Sequence, residues 1–141
     1  LNAAGAGIMQ RYGVTGATDV TGFGLVGHAV QMADASGVTL AVESRAVPRY
    51  AGVMALLEEG CIPGAVFRNL RYVEERLMVG PLVAPEEKLL LCDAQTSGGL
   101  LMAVDALRAD AAVNDLVAAG YVDTTMIGEA IPRRAKALYI E

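Results

Sequence analysis

The sequence is poor in the residues that build zinc sites and nucleic-acid surfaces. It has two cysteines and one histidine in 141 residues, and a structural zinc site needs four Cys or His ligands. Acidic residues outnumber Lys and Arg by 16 to 11, and the densest basic cluster is only Arg133, Arg134 and Lys136. We therefore expect no nucleic-acid ligand. No apolar run approaches the roughly 18–20 residues of a membrane span, so no membrane insertion is expected.

The two cysteines, Cys61 and Cys92, lack the CxxC spacing of metal and redox motifs, and residues 1–141 contain no signal-peptide pattern. Both thiols are expected to be reduced, as in a cytoplasmic protein, with a disulfide as the alternative. Cys92 follows three leucines, which predicts a buried and unreactive thiol. The sequence begins at Leu1 without an initiator methionine, and we interpret it as part of a longer protein.

Apolar residues are abundant in the sequence. They make up 54% of the chain against 19% charged residues, which predicts a packed domain rather than a disordered segment. Hydrophobic periodicity and Gly/Pro breakers divide the chain into alternating helices and strands. Helices are predicted at residues 2–12, 25–36, 48–59, 69–76 and 106–119, and another begins at Pro85. Strands are predicted at residues 17–20, 38–42, 100–104, 124–131 and 137–140, and residues 61–69 are predicted to form a loop.

Strands that alternate with helices of about a dozen residues indicate a β-sheet with helices packed on it. Only five residues, 132–136, separate the last two predicted strands, so we expect these strands to form an antiparallel pair. The predicted fold class is therefore α+β with a mixed sheet, in a single domain.

The most informative segment is the threonine- and glycine-rich turn around Asp19, which leads into a predicted helix. Glycines let the backbone approach a ligand closely, and the N–H groups at the start of a helix attract anions. A carboxylate beside an anion is tolerated when a cation lies between them, as when Mg²⁺ is shared by an aspartate and a phosphate. The turn thus predicts half of a metal–phosphate site, because one carboxylate cannot hold Mg²⁺ alone. The structural alternative is a helix cap, for which Thr21 is better placed than Asp19.

Three segments, in order, resemble the selenophosphate synthetase (selenide, water dikinase) family. Residues 18–28, TDVTGFGLVGH, resemble the opening of that family's C-terminal domain. Residues 93–101, DAQTSGGLL, resemble its Asp-Pro-Gln-Thr-Ser-Gly-Gly-Leu motif, with Ala94 in place of the proline. The PG and RNL pieces within residues 63–70 match the connecting loop between the two motifs.

The resemblance implies a layered domain of the AIR synthase-related superfamily, partly ferredoxin-like, over residues 1–141, with an N-terminal ATP-binding domain outside this sequence. It implies a homodimeric cytoplasmic enzyme that converts selenide, ATP and water into selenophosphate, AMP and phosphate. In the family, ATP and Mg²⁺ lie between the two domains, and the N-terminal domain carries the reactive Cys or selenocysteine, a lysine and most Mg²⁺-binding aspartates. By motif match, Asp19 is the metal ligand of this half. The chain carries no catalytic residue and is expected to be inactive alone.

Further candidate ligand contacts lie in the same motifs. They are Thr21, Gly22 and Gly24 in the first turn, Thr96, Ser97, Gly98 and Gly99 in the second, and Arg68 between them. The second turn fits an anion-binding nest as well as a purely structural bend, and an arginine can hold a phosphate bidentately. His28 is expected to be a hydrogen-bonded structural residue, because phosphoryl transfer depends mainly on positioning and charge neutralisation. Asn69 is expected to cap the helix that follows it.

Two other functions stay open from the sequence. Related ATP enzymes, aminoimidazole ribonucleotide synthetase and a hydrogenase-maturation protein, carry a similar turn. Phe23 between two glycines and the QTSGG run of residues 95–99 favour the selenium enzyme. Alternatively, a non-catalytic module that binds a partner protein through a sheet edge would use the glycines only to shape its turns.

Overall fold

The computed structural model describes residues 2–141 as six α-helices and six β-strands. The helices are α1 (Ala3–Tyr12), α2 (Gly24–Ser36), α3 (Val53–Glu58), α4 (Gly64–Val73), α5 (Pro85–Leu91) and α6 (Ala109–Ala118). The strands are β1 (Gly16–Asp19), β2 (Val38–Val42), β3 (Leu77–Val79), β4 (Leu100–Ala103), β5 (Gly128–Pro132) and β6 (Leu138–Ile140). Among residues 2–141, none of the helices has the length and apolar character that a bilayer crossing requires.

The strands form two separate sheets. The larger sheet has the order β3-β6-β2-β5, in which β2 runs parallel to β6 and antiparallel to β5. The smaller sheet is the antiparallel pair of β1 and β4, with Asp19 opposite Leu100. The predicted α+β class with a mixed sheet is confirmed. The strand predicted at residues 100–104 is only half-buried, because it belongs to the two-stranded sheet.

The expected pairing of the last two strands is wrong, because β2 lies between β5 and β6. The connection between them crosses the start of β2 at the buried Thr39. Its hydroxyl donates to the Lys136 carbonyl oxygen at 2.8 Å and accepts from the Arg134 backbone N–H at 2.8 Å. Neighbouring strands lie about 4.8 Å apart, so five residues are long enough to pass one intervening strand.

Two of the predicted helix boundaries are also wrong. Pro48 does not open a helix, since α3 begins at Val53, directly after Gly52 at a φ of 83° that a continuous helix cannot accommodate. The residues predicted as a loop contain the start of α4 at Gly64, with Pro63 in an extended conformation immediately before it. Strand β3 was not predicted, because its three residues follow a helical segment without a break.

Helix α2 connects the main core to the smaller sheet. Its buried face includes Val26, Ala29, Val30 and Ala33, and the helix contacts β1, β2, β6 and α4. The buried cluster around it consists of Leu40, Val42, Val66, Val73, Leu77, Leu91, Cys92, Ala137, Leu138 and Ile140. The position of the turn between β1 and α2 is therefore fixed by packing on both sides.

Candidate metal and phosphate site

The two motif turns, residues 20–23 and 93–99, lie side by side and are called the double turn below. The backbone N–H of Val20 donates to the carbonyl oxygen of Gly99 at 2.9 Å, and the N–H of Gly98 donates to the carbonyl oxygen of Val20 at 2.9 Å. These bonds continue the pairing of β1 with β4 beyond the ends of the strands. The fold thus brings together two segments that are more than 70 residues apart in sequence.

Gly24, the first residue of α2, packs directly against the backbone at the start of the second turn. Its φ is 66°, and a Cβ at this position would lie 2.8 Å from both the Cys92 carbonyl carbon and the Asp93 carbonyl oxygen. Both distances are to backbone atoms, which cannot rotate away, so only glycine fits here. Gly98 is similarly restricted, because its Cβ would lie 2.9 Å from the carbonyl oxygen of Val20. These two predicted site glycines therefore shape the turn.

Asn69 fastens the double turn to α4. Its buried side-chain amide donates to the carbonyl oxygen of Gly22 at 2.9 Å and to that of Cys92 at 2.9 Å. The expectation that Asn69 caps a helix is wrong, because α4 begins five residues earlier, at Gly64. The RNL match between the two motifs was the only sequence signal for this role.

We expect Asn69→Leu to lower the free energy of unfolding by about 1–3 kcal/mol, because the buried carbonyl oxygen of Cys92 loses its donor. The Gly22 carbonyl oxygen adds less, because Gly22 is exposed and water can replace the lost donor. Urea unfolding followed by circular dichroism measures the change. Asn114→Leu is the matched control, because Asn114 is exposed on α6 and surface substitutions usually change stability by about 0.5 kcal/mol or less. Equal effects of the two substitutions would contradict the role assigned to Asn69.

Asp19 ends β1 at the edge of the double turn. Its side chain is exposed and makes no hydrogen bond or ion pair with residues 2–141. Successive side chains of a strand point to opposite faces, so Asp19 lies on the face opposite Thr18, which lines a cavity against α2. The carboxylate is thus free to bind a cation, and Asp19 caps no helix.

The double turn also presents unused hydrogen-bond donors. The backbone N–H groups of Gly22, Phe23, Thr96 and Ser97 donate no hydrogen bond to the described part of the chain. A Cβ added to Gly22 or to Gly99 would meet nothing within 4 Å. Free amides around an open glycine surface are the arrangement by which backbone turns hold phosphate groups.

His28 and Phe23 close the helix side of the first turn. The imidazole Nε2 lies 3.1 Å from the Thr21 Oγ1, and the Phe23 ring meets the imidazole edge-on at 5.9 Å between centroids. Gly27 permits this, because a Cβ there would lie 2.5 Å from the Cβ of Phe23. Thr21 does not cap α2, whose N-cap residue is Phe23 without a side-chain bond. The expected hydrogen-bonded structural role of His28 is consistent with this contact.

Comparison with known proteins identifies the family of this domain. The family model described as AIR synthase related protein, C-terminal domain, matches residues 1–141. The chain belongs to this family. Among solved structures, a thiamine-monophosphate kinase from Stenotrophomonas maltophilia aligns with a TM-score of 0.51 at 16% identity, over 94% of this chain and 33% of that chain. That likeness supports the AIR synthase-like fold.

Curated relatives of this AIR synthase related domain carry the name selenide, water dikinase. The protein from Porphyromonas gingivalis strain ATCC 33277 is 59% identical over 82% of this chain and 33% of its own length. The protein from Pseudomonas aeruginosa strain PAO1 is 46% identical over 99% of this chain and 40% of its own length. The resemblance inferred from the three motifs is confirmed, and the chain spans 33–40% of the length of these relatives.

Of the remaining candidate ligand contacts in this AIR synthase related domain, some lie in the double turn and one lies outside it. Thr96 and Ser97 lie in it and are exposed. Arg68 is exposed on α4, and no hydrogen bond or ion pair joins it to the double turn or to the rest of residues 2–141. No three His, Cys, Asp or Glu side chains converge as a possible metal site within residues 2–141.

Both cysteines are free thiols. Cys92 is completely buried, and burial raises the pKa of its thiol to about 11, so the thiolate is not populated near neutral pH. The predicted burial of Cys92 is confirmed, and the raised pKa is consistent with an unreactive thiol. Its contribution to the site is its backbone carbonyl oxygen, which accepts from Asn69. Cys61 is exposed, before the start of α4.

Proposed function

We propose that this chain is the C-terminal domain of a selenide, water dikinase and forms one wall of its Mg–ATP site. The reaction converts selenide, ATP and water into selenophosphate, AMP and phosphate. The observation that carries the proposal is the unpaired Asp19 carboxylate at the edge of the double turn with its unused backbone N–H groups. The names and identities of the curated relatives support the choice of reaction.

Asp19 fits Mg²⁺ in ligand type, because Mg²⁺ prefers carboxylate, phosphate and water oxygens. One carboxylate supplies too few of the six oxygens that this ion takes. We propose that the nucleotide phosphates, water and carboxylates of an N-terminal domain supply the others. Bound there, Mg²⁺ would neutralise phosphate charge, while Thr21, Gly22 and the second turn hold phosphate oxygens through hydroxyl and amide groups.

The chain covers 33–40% of the length of the curated relatives, which leaves room for a further domain. We propose that residues 1–141 are one domain, that an N-terminal ATP-binding domain completes the site, and that the whole enzyme is a homodimer. A cytoplasmic location is proposed from the two free thiols, which reducing compartments preserve. We propose Arg68 as a further phosphate contact, because an exposed guanidinium without an internal partner can hold a phosphate bidentately.

The proposal is tested by titrating Mg–ATP into the 141-residue chain and into the full-length protein by calorimetry. We expect the full-length protein to bind at least about 100-fold more tightly, since half of the ligands of a shared site contribute little alone. Micromolar affinity of the chain by itself would contradict a site shared between two domains.

A further inference from the structure

The environment of His28 decides which of its nitrogens carries the proton. The side chain is only 8% exposed, and Nδ1 is buried without a hydrogen-bond partner among residues 2–141. A buried N–H without an acceptor is rarer in proteins than a buried acceptor without a donor. Of the two neutral tautomers, the one with the proton on Nδ1 would create such an N–H. The buried and unpartnered Nδ1 therefore favours the neutral tautomer that carries its proton on Nε2.

This tautomer fixes the direction of the contact with Thr21. In this tautomer Nε2–H donates to the Thr21 Oγ1, which lies 3.1 Å away. A threonine hydroxyl accepts through its lone pairs while its single hydrogen is donated elsewhere. Thr21 Oγ1 makes no other hydrogen bond with the described residues, so its hydrogen is left for a bound molecule.

The rest of Thr21 is already immobilised. Its carbonyl oxygen accepts from the N–H of Gly24 at 3.0 Å and from the N–H of Gln95 at 3.0 Å. The side-chain rotation of Thr21 is the freedom that remains, and the imidazole restricts it. Phe23 packs edge-on against the same ring, so the imidazole itself is held in place.

We infer that His28 is a positioning residue, which by donating from Nε2 turns the Thr21 hydroxyl into a donor toward a phosphate oxygen of ATP. This rests on the proposed function. His28 exchanges no proton in the reaction and does not touch the nucleotide. Its effect is to select one hydroxyl orientation before ATP binds, which reduces the ordering cost of binding.

The test uses four variants of the full-length protein: Thr21→Val, His28→Leu, His28→Gln and the double variant of Thr21→Val with His28→Leu. Glutamine places an amide N–H near the position of Nε2–H, whereas leucine fills similar space without a donor. The kinetic readouts are KM for ATP and kcat at saturating Mg²⁺. The spectroscopic readout is the imidazole ¹⁵N spectrum of the unsubstituted protein. The His28 signals are identified as those that disappear in His28→Gln.

Thr21→Val is expected to raise KM for ATP about tenfold or more, because a hydrogen bond to a charged oxygen is lost. His28→Leu should raise it about three- to tenfold, and His28→Gln should stay within about twofold of the unsubstituted protein. The double variant should match Thr21→Val alone, since residues that act through one another are not additive. The ¹⁵N spectrum should show the proton on Nε2.

Several results would overturn the inference. The first is a KM for ATP that rises as much in His28→Gln as in His28→Leu, and the second is a double variant whose effect equals the product of the two single effects. The third is a ¹⁵N spectrum that places the proton on Nδ1, and the fourth is a Thr21→Val variant with unchanged KM for ATP. If Asp19→Asn still lowers turnover by about 10²-fold or more while Thr21→Val leaves KM unchanged, the proposed function stands and only the role of His28 fails. The spectrum is recorded on the unsubstituted protein, and His28→Gln serves only to assign its signals. It therefore tests the tautomer of His28 even if His28→Leu does not fold.

Discussion

Asp19→Asn in the full-length protein should lower the rate of ATP-dependent selenophosphate formation by about 10²- to 10³-fold, while the fold is retained. The amide keeps the size of the side chain but removes the negative charge that, under the proposed function, draws Mg²⁺ to the double turn. Losses of this order follow when one preorganised electrostatic contact to the reacting phosphates is removed. Because the carboxylate has no partner in residues 2–141, its removal costs no internal ion pair.

Steady-state rates measured over a range of Mg²⁺ concentrations give the result, and part of the loss should be recovered at high Mg²⁺. Asp123→Asn is the matched control, because Asp123 is likewise exposed and without an ion-pair partner among the described residues but lies outside the double turn. Full turnover in Asp19→Asn would instead favour a non-catalytic module whose glycines only shape its turns. A loss shared equally by the control would indicate a general charge effect.

The second large effect is expected for Gly24→Ala. An alanine in the left-handed conformation, at a φ of 66°, destabilises the fold by about 1–2 kcal/mol. Overpacking of its Cβ against the Cys92 and Asp93 backbone destabilises it by about 1–3 kcal/mol more. The free energy of unfolding should therefore fall by about 2–5 kcal/mol. Affinity for ATP should fall as well, because the two halves of the double turn are forced apart.

Gly37→Ala separates the two contributions. Gly37 ends α2 at a φ of 64°, and a Cβ there meets nothing within 4 Å. This variant should lose only about 1–2 kcal/mol, the cost of the backbone conformation, with ATP affinity unchanged. Urea unfolding and ATP titration of both variants measure the difference. Equal losses would show that close approach of the Cys92 backbone does not limit residue 24.

Local sequence was sufficient where a single segment carries its own signals. The helix that ends at Gly13, the strand β2 and the helix that ends at Gly37 follow from periodicity and from glycines suited to a left-handed cap. The motif residues of both turns, including Asp19, were also identified from sequence. Alternating helices and strands predicted the α+β class, because each element must bury one apolar face.

Tertiary structure alone decided which segments meet. No local signal shows that β2 separates β5 from β6, since a five-residue connection permits either arrangement until Thr39 fastens it. The same applies to Asn69, whose two acceptors lie on segments 47 and 23 residues away. The sequence determined which chemical groups the candidate site contains. Long-range backbone hydrogen bonds determined that these groups form one surface. This second step could not be read from the sequence, because strand pairing and side-chain bonds to distant carbonyl oxygens leave no periodic pattern in it.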